Sequence, residues 1–179
     1  PVAGRAVRTS VGAHVVPDHD LSATDDADLV VVPAIRIGTD YPPAVLDAVR
    51  RASDRGALLL SVCSGVFVLA AAGVIEGRRV TTHWMHADEL RRRYPSLDID
   101  PDVLFVDDGN LITSAGTAAG IAACLHLVRR ALGARVANTI ARRMVVPPPR
   151  DGGQRQFIER PVPACEEDAV GELREGRTA

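Results

Sequence analysis

At 179 residues, with 46% hydrophobic and 25% charged side chains, the chain is long enough to bury a core and reads as one soluble globular domain. A formal charge of −2 argues against nucleic acid or an acidic membrane as a partner for the whole molecule, and no run approaches the roughly 18–20 apolar residues of a membrane span. All 21 basic residues are arginine, which reads as the coding bias of a GC-rich genome rather than a binding device.

In chain order, "VRTSVGAHVVPD" reads as a strand in which Val11, Ala13 and Val15 alternate before Pro17. "DADLVVVPA" is a short apolar run of the kind expected of a parallel strand buried on both faces. "DYPPAVLDAVRRASDRG" reads as a helix capped by Asp40, with Val45, Leu46 and Val49 as its apolar stripe and Gly56 as its stop. "ALLLSV" is the next buried strand and "SGVFVLAAAG" the next helix. "RRVTTHW" is a short strand leading into the helix "MHADELRRRYP", and "VLFVDDGNLITSAG" is a hairpin about Asp108-Gly109. "TAAGIAACLHLVRRALG" and "ARVANTIARRMVV" are the last helices. Strands alternating with helices give a layered α/β fold with a mostly parallel sheet. From residue 147 the chain turns to prolines, glycines and charge, a composition that builds no core, so 1–146 reads as the domain and 147–179 as a linker or disordered tail.

Cys63, Cys124 and Cys165 form no metal-ligand or disulfide spacing. No cofactor or metal is therefore expected, and the expected compartment is a reducing cytoplasm. No signal-peptide pattern opens the chain, and its start at Pro1 is read as a missing upstream stretch.

Cys63 follows the apolar run "LLLSV" directly and precedes a small-residue helix, at the carboxyl end of a strand where open α/β sheets bind ligands. A helix N-terminus there would lower the thiol pKa from about 8.5, and Gly65 allows a strained strand-to-helix turn, a thiol counterpart of the nucleophile elbow. A small buried hydrophobe in a packed crossover explains the spacing equally well. Cys124 is expected to be buried and Cys165 exposed.

"SVCSGVFVLAAAGVIEGRRVTTHW" followed by "LITSAGTAAGIAACLHLVRR" resembles the ThiJ/PfpI superfamily, of class I glutamine amidotransferase-like, flavodoxin-like fold. The resemblance runs from about residue 8 to 146. "HADELRRRYPSLDIDPDVLFVDDGNLITSAG" and "VANTIARRMVVPPPRDGGQRQFIERPVP" resemble the N-terminal ligand-sensing domains of AraC-type transcription regulators.

The resemblance implies that Cys63 is the elbow nucleophile and His83 the histidine near it. It implies that Ala34, Ile35, Ser64, Thr82, Ser114 and Gly116 surround a ligand, with the Ser64 backbone N–H as an oxyanion donor. Protease-like branches carry histidine where Ser64 stands, and glycine is frequent where Ala34 stands. The family's first strand and helix, and the acid they bring to the cysteine, have no counterpart here.

His83 and His86 could share a helix face, but zinc needs further ligands and Cys63 is the only plausible third. His126 reads as a core or boundary histidine, and Arg91, Arg92 and Arg93 as a solvated helix face. Dinucleotide and ATP phosphate loops are absent from the sequence. Two functions follow. One is a ligand-sensing, dimerising regulatory domain that binds a small molecule, forms a homodimer and binds no DNA or membrane by itself. The other is a cysteine-dependent enzyme, isocyanide hydratase-like, glyoxalase or amidase.

Overall fold

Three parallel strands and one antiparallel neighbour form the central sheet of the protein, whose computed structural model describes residues 4–9, 11–38, 40–147 and 153–154. Strands β1 (Val7–Arg8), β2 (His14–Val15), β3 (Leu29–Val32) and β4 (Leu58–Val62) are followed by β5 (Arg79–Val80), β6 (Asp98–Ile99), β7 (Phe105–Asp108) and β8 (Leu111–Ser114). The helices are α1 (Pro43–Asp54), α2 (Val66–Ala71), α3 (Trp84–Arg93), α4 (Ala118–Leu132) and α5 (Ala134–Arg143). The sheet order is β3-β4-β8-β7: β3, β4 and β8 are parallel, and β7 returns antiparallel along β8. This is the expected α/β, flavodoxin-like architecture.

Side-chain alternation divides the core between the two faces of the sheet. Leu59 and Leu111 join Val49 of α1, Phe67 and Leu69 of α2 and Leu90 of α3 on one face. Leu60 and Ile112 pack with Ala123 of α4 on the other. Helix α1 starts at Pro43 with Pro42 rather than Asp40 at its cap position, which suits the fixed φ of proline in a first turn. Among the described residues no helix is long and apolar enough to cross a membrane.

Several expectations need correction. The stretch read as one alternating strand is a small antiparallel hairpin, β1 with β2, turning through Gly12 at φ +85 and leaving Val11 87% exposed. Its alternation faces solvent because the segment lies outside the main sheet. The run in β3 is not buried on both faces. Val32 reaches the core, but Leu29 and Val31 are 39% and 48% exposed, because β3 is the outermost strand of this sheet among the described residues.

The helix after Cys63 is shorter than its pattern suggests, with Cys63–Gly65 forming a 3-10 turn before the six residues of α2. Cys124 is exposed on α4 rather than buried, and desolvation by its neighbours raises its thiol pKa above the ordinary 9.0.

Arg93 is more than a solvated side chain: it pairs with Glu89, donates to Gly38 O at 2.7 Å and lies 5.7 Å from the centre of the Phe67 ring. Cys165 and most of the proposed tail lie outside the described residues. Of those that are described, Gly153 bridges to Val103 and Gln154 is buried against the domain.

Candidate functional site

The turn that leaves β4 puts Cys63 at φ +55, a left-handed backbone uncommon outside glycine and costing roughly 1 kcal/mol. Two glycines make room for it. A Cβ on Gly65 would stand 2.3 Å from Val32 O and 2.8 Å from Pro33 O, so the turn lies directly against the end of β3. A Cβ on Gly116, itself at φ +84, would stand 2.4 Å from Cys63 Cβ and 3.2 Å from its Sγ. Only glycine tolerates both that conformation and that approach. Cys63 is neither fully buried nor fully exposed.

Ser64 is buried, and its side chain faces the loop after β3. Its Oγ accepts from Ile35 N–H at 2.9 Å and donates to Ile35 O at 2.6 Å. One hydroxyl thus staples the two strand-end loops together, with Ile35 half-buried and Ala34 exposed. Thr82 is fully buried and its Oγ1 donates to Cys63 O at 3.0 Å, tying the exit of β5 to the same turn. Ser114 is equally buried, and its hydroxyl donates to Ser61 O at 3.1 Å, joining β8 to β4. Ser61 Oγ is buried with no hydrogen-bond partner among the described residues.

His83 follows Thr82 and caps α3, its Nδ1 accepting from Met85 N–H at 3.3 Å. Burial, and then the charge of His86, lower its pKa below the ordinary 6.5, which favours the neutral ring. The His83 and His86 rings are 5.8 Å apart. Among the described residues no three His, Cys, Asp or Glu side chains gather as a metal site.

Away from this turn, His126 Nε2 lies 2.5 Å from Asp107 Oδ2, and Arg130 reaches the other oxygen at 2.8 Å. His126 is therefore a boundary residue with a carboxylate partner. Burial opposes ionisation of Asp107, but the His126 hydrogen bond and the Arg130 charge outweigh it and lower its pKa.

The expected residues converge unevenly. Gly116 and Thr82 each touch Cys63, Ser64 and Ile35 bond to each other beside it, and His83 joins through its chain neighbour Thr82. The helix end invoked for thiol activation is not of the expected kind, because α2 is short and entered through a 3-10 turn. Gln154, which holds the Thr82 carbonyl at 3.0 Å, went unseen in a segment whose composition signals only a linker.

A strand, a strained cysteine and a short helix, closed by Gly65 of the turn itself and Gly116 from beyond β8, match a known pattern along most of the chain. The DJ-1/PfpI family pattern covers residues 1–130. The chain belongs to the DJ-1/PfpI family.

Within that family it is 35% identical to the HTH-type transcriptional regulator CdhR of Pseudomonas aeruginosa, over 80% of this chain and 43% of CdhR. It is 32% identical to the isonitrile hydratase of Pseudomonas putida, over 82% of this chain and 65% of that protein. The chain thus spans less than two thirds of the length of either relative. The solved DJ-1beta of Drosophila melanogaster superposes with a TM-score of 0.69 at 27% identity, covering 80% of this chain and 77% of that one.

Proposed function

We propose that this DJ-1/PfpI domain is the small-molecule-sensing part of an AraC-type transcription regulator, binding a ligand beside Cys63 without turning it over. The observation that carries the reading is that two groups a catalytic cysteine would use are already engaged. The Ile35 N–H is held by Ser64 Oγ, and His83 Nδ1 accepts from Met85 N–H. With Nδ1 as acceptor, neutral His83 carries its proton on Nε2 and offers a donor rather than a base. On this reading the Cys63 thiol, the Ser64 backbone N–H and that ring N–H are the polar groups offered to a small metabolite. The likeness to CdhR supports the regulatory role, with DNA binding assigned to another segment.

The edge of β3 left without a strand neighbour among the described residues, with Leu29 and Val31 exposed beside it, supports association of two copies. Light scattering at rising concentration tests this part, and a monodisperse monomer throughout would remove it.

The test of the site is a thermal-shift screen of small metabolites on the parent and Cys63→Ala proteins, with product analysis for each hit. Stabilisation that needs Cys63 and yields no product supports the reading. The second reading, a cysteine-dependent hydratase, is favoured by the likeness to the isonitrile hydratase. Formation of an N-substituted formamide from an isonitrile, lost in Cys63→Ala, would establish it and overturn the first.

A further inference from the structure

Gln154 is 2% exposed, and both ends of its side-chain amide are bonded. Its Nε2 donates to Val103 O at 2.9 Å and Thr82 O at 3.0 Å, with a longer contact to Thr81 Oγ1 at 3.4 Å. Its Oε1 accepts from Trp84 N–H at 2.9 Å. The backbone N–H donates to Asp102 O at 2.7 Å, and Gly153 bridges to Val103. A solvated linker has no use for such a set of bonds, since a buried amide stabilises only where its partners are placed for it.

Three of those side-chain partners lie within residues 81–84, from the end of β5 to the first residue of α3. The Trp84 N–H is one of the orphan donors of the first turn of α3, and Gln154 satisfies it from a distant part of the chain. The Thr82 carbonyl is held by Gln154 while the Thr82 hydroxyl holds the Cys63 carbonyl. Hydrogen bonds therefore run from Gln154 through one residue to the cysteine turn.

We infer that Gln154 is a positioning residue and a latch. It sets the backbone of Thr82, His83 and Trp84 against Cys63, and through that backbone occupation of the Cys63 site is coupled to the seating of Gln154. The inference rests on the reading of that turn as a small-molecule site. Anything that displaces Thr82 or His83 acts on the backbone that Gln154 grips, and linkage makes the effect reciprocal. Loss of Gln154 leaves the Thr82 carbonyl and the Trp84 N–H to find water or to shift.

Trp84 is the only tryptophan of the chain, so its emission reads the latch. The experiment uses the whole chain carrying Cys124→Ser and Cys165→Ser, so that iodoacetamide modifies Cys63 alone. Gln154→Met keeps the side-chain length and loses every hydrogen bond of the side-chain amide. Gln154→Glu keeps an acceptor for Trp84 N–H and loses the donors.

Alkylation of Cys63 is expected to shift Trp84 emission in the parent and to leave it unchanged in Gln154→Met. The alkylation rate of Cys63 is expected to change about fivefold in Gln154→Met, the effect of roughly one net hydrogen bond, with Gln154→Glu between the two. Equal emission shifts in parent and Gln154→Met, or an unaltered Cys63 rate, would overturn the latch.

Should Gln154→Met fail to fold, hydrogen exchange at the Trp84 amide of the parent decides. Protection that changes on Cys63 alkylation supports the latch, and unchanged protection overturns it. The underlying reading fails differently: metabolites whose binding is indifferent to Cys63 would remove the site, while the Gln154 effect on the thiol rate would persist.

Discussion

In β4, Leu59, Leu60 and Ser61 are 3%, 0% and 0% exposed, whereas in its parallel neighbour β3 Leu29 and Val31 remain 39% and 48% exposed. The two strands have similar apolar sequences and pair in continuous register from Leu29↔Leu58 to Val32↔Ser61. What separates them is rank in the sheet. Strand β4 has β8 on its far side and helices over both faces, while β3 has one strand neighbour among the described residues. An apolar run shows that a strand can be buried twice over, and its neighbours decide whether it is. The strands nevertheless meet closely where they end, because Gly65 lies against Val32 O and Ser64 against Ile35.

Breaking that junction should have the largest effect. Gly65→Ala would drive a Cβ to 2.3 Å from a backbone oxygen, which no rotamer relieves. A loss of about 3 kcal/mol or more is expected in urea unfolding. A loss below about 1 kcal/mol would mean that the β3 end moves freely.

The contrast within the strands comes next. Leu60→Ala in β4 should cost about 3 kcal/mol, and Leu29→Ala in β3 under about 1 kcal/mol. Equal costs would show that Leu29 is covered in solution, as a second copy on β3 would cover it.

Ser64→Ala should cost about 1–2 kcal/mol, since two hydrogen bonds to Ile35 disappear. A melting point lowered by several degrees is the expected readout. An unchanged melting point would mean that water replaces the hydroxyl without cost.

The smallest effect is one of pH. His83 has a pKa lowered in the folded chain, so the unfolded chain binds its proton more readily. Stability due to neutral His83 is complete above about pH 6.5 and declines as pH falls below it. His83→Gln should flatten the stability profile between about pH 7 and pH 5. Asp107, whose lowered pKa acts as pH falls through and below the ordinary 3.8, leaves that window undisturbed. A parent profile already flat there would sink the assignment.

The strand-turn-helix around Cys63 was legible because a four-residue apolar run, a small-residue turn and a glycine at the crowded point each impose local geometry. The hairpin from Phe105 to Ser114 was legible for the same reason, its turn carried by Gly109 at φ +73. Strand β6 was not. Asp98 and Ile99 form a two-residue strand beside β5, too short to carry a period. The exposure of Cys124 was also hidden, since a cysteine in an apolar helix sits on either face until the helix is docked.

Taken alone, the sequence determined the α/β class, the order of most elements and the strand-turn-helix that carries Cys63, because periodicity, turn residues and backbone sterics act over a few residues at a time. Tertiary structure decided what those groups are free to do. The Ser64 hydroxyl is taken by Ile35, the His83 Nδ1 by the start of α3, and the Thr82 carbonyl by Gln154. Two of these pairings, Ser64 with Ile35 and Thr82 with Gln154, join residues far apart in the chain, where only folding brings a donor to its acceptor.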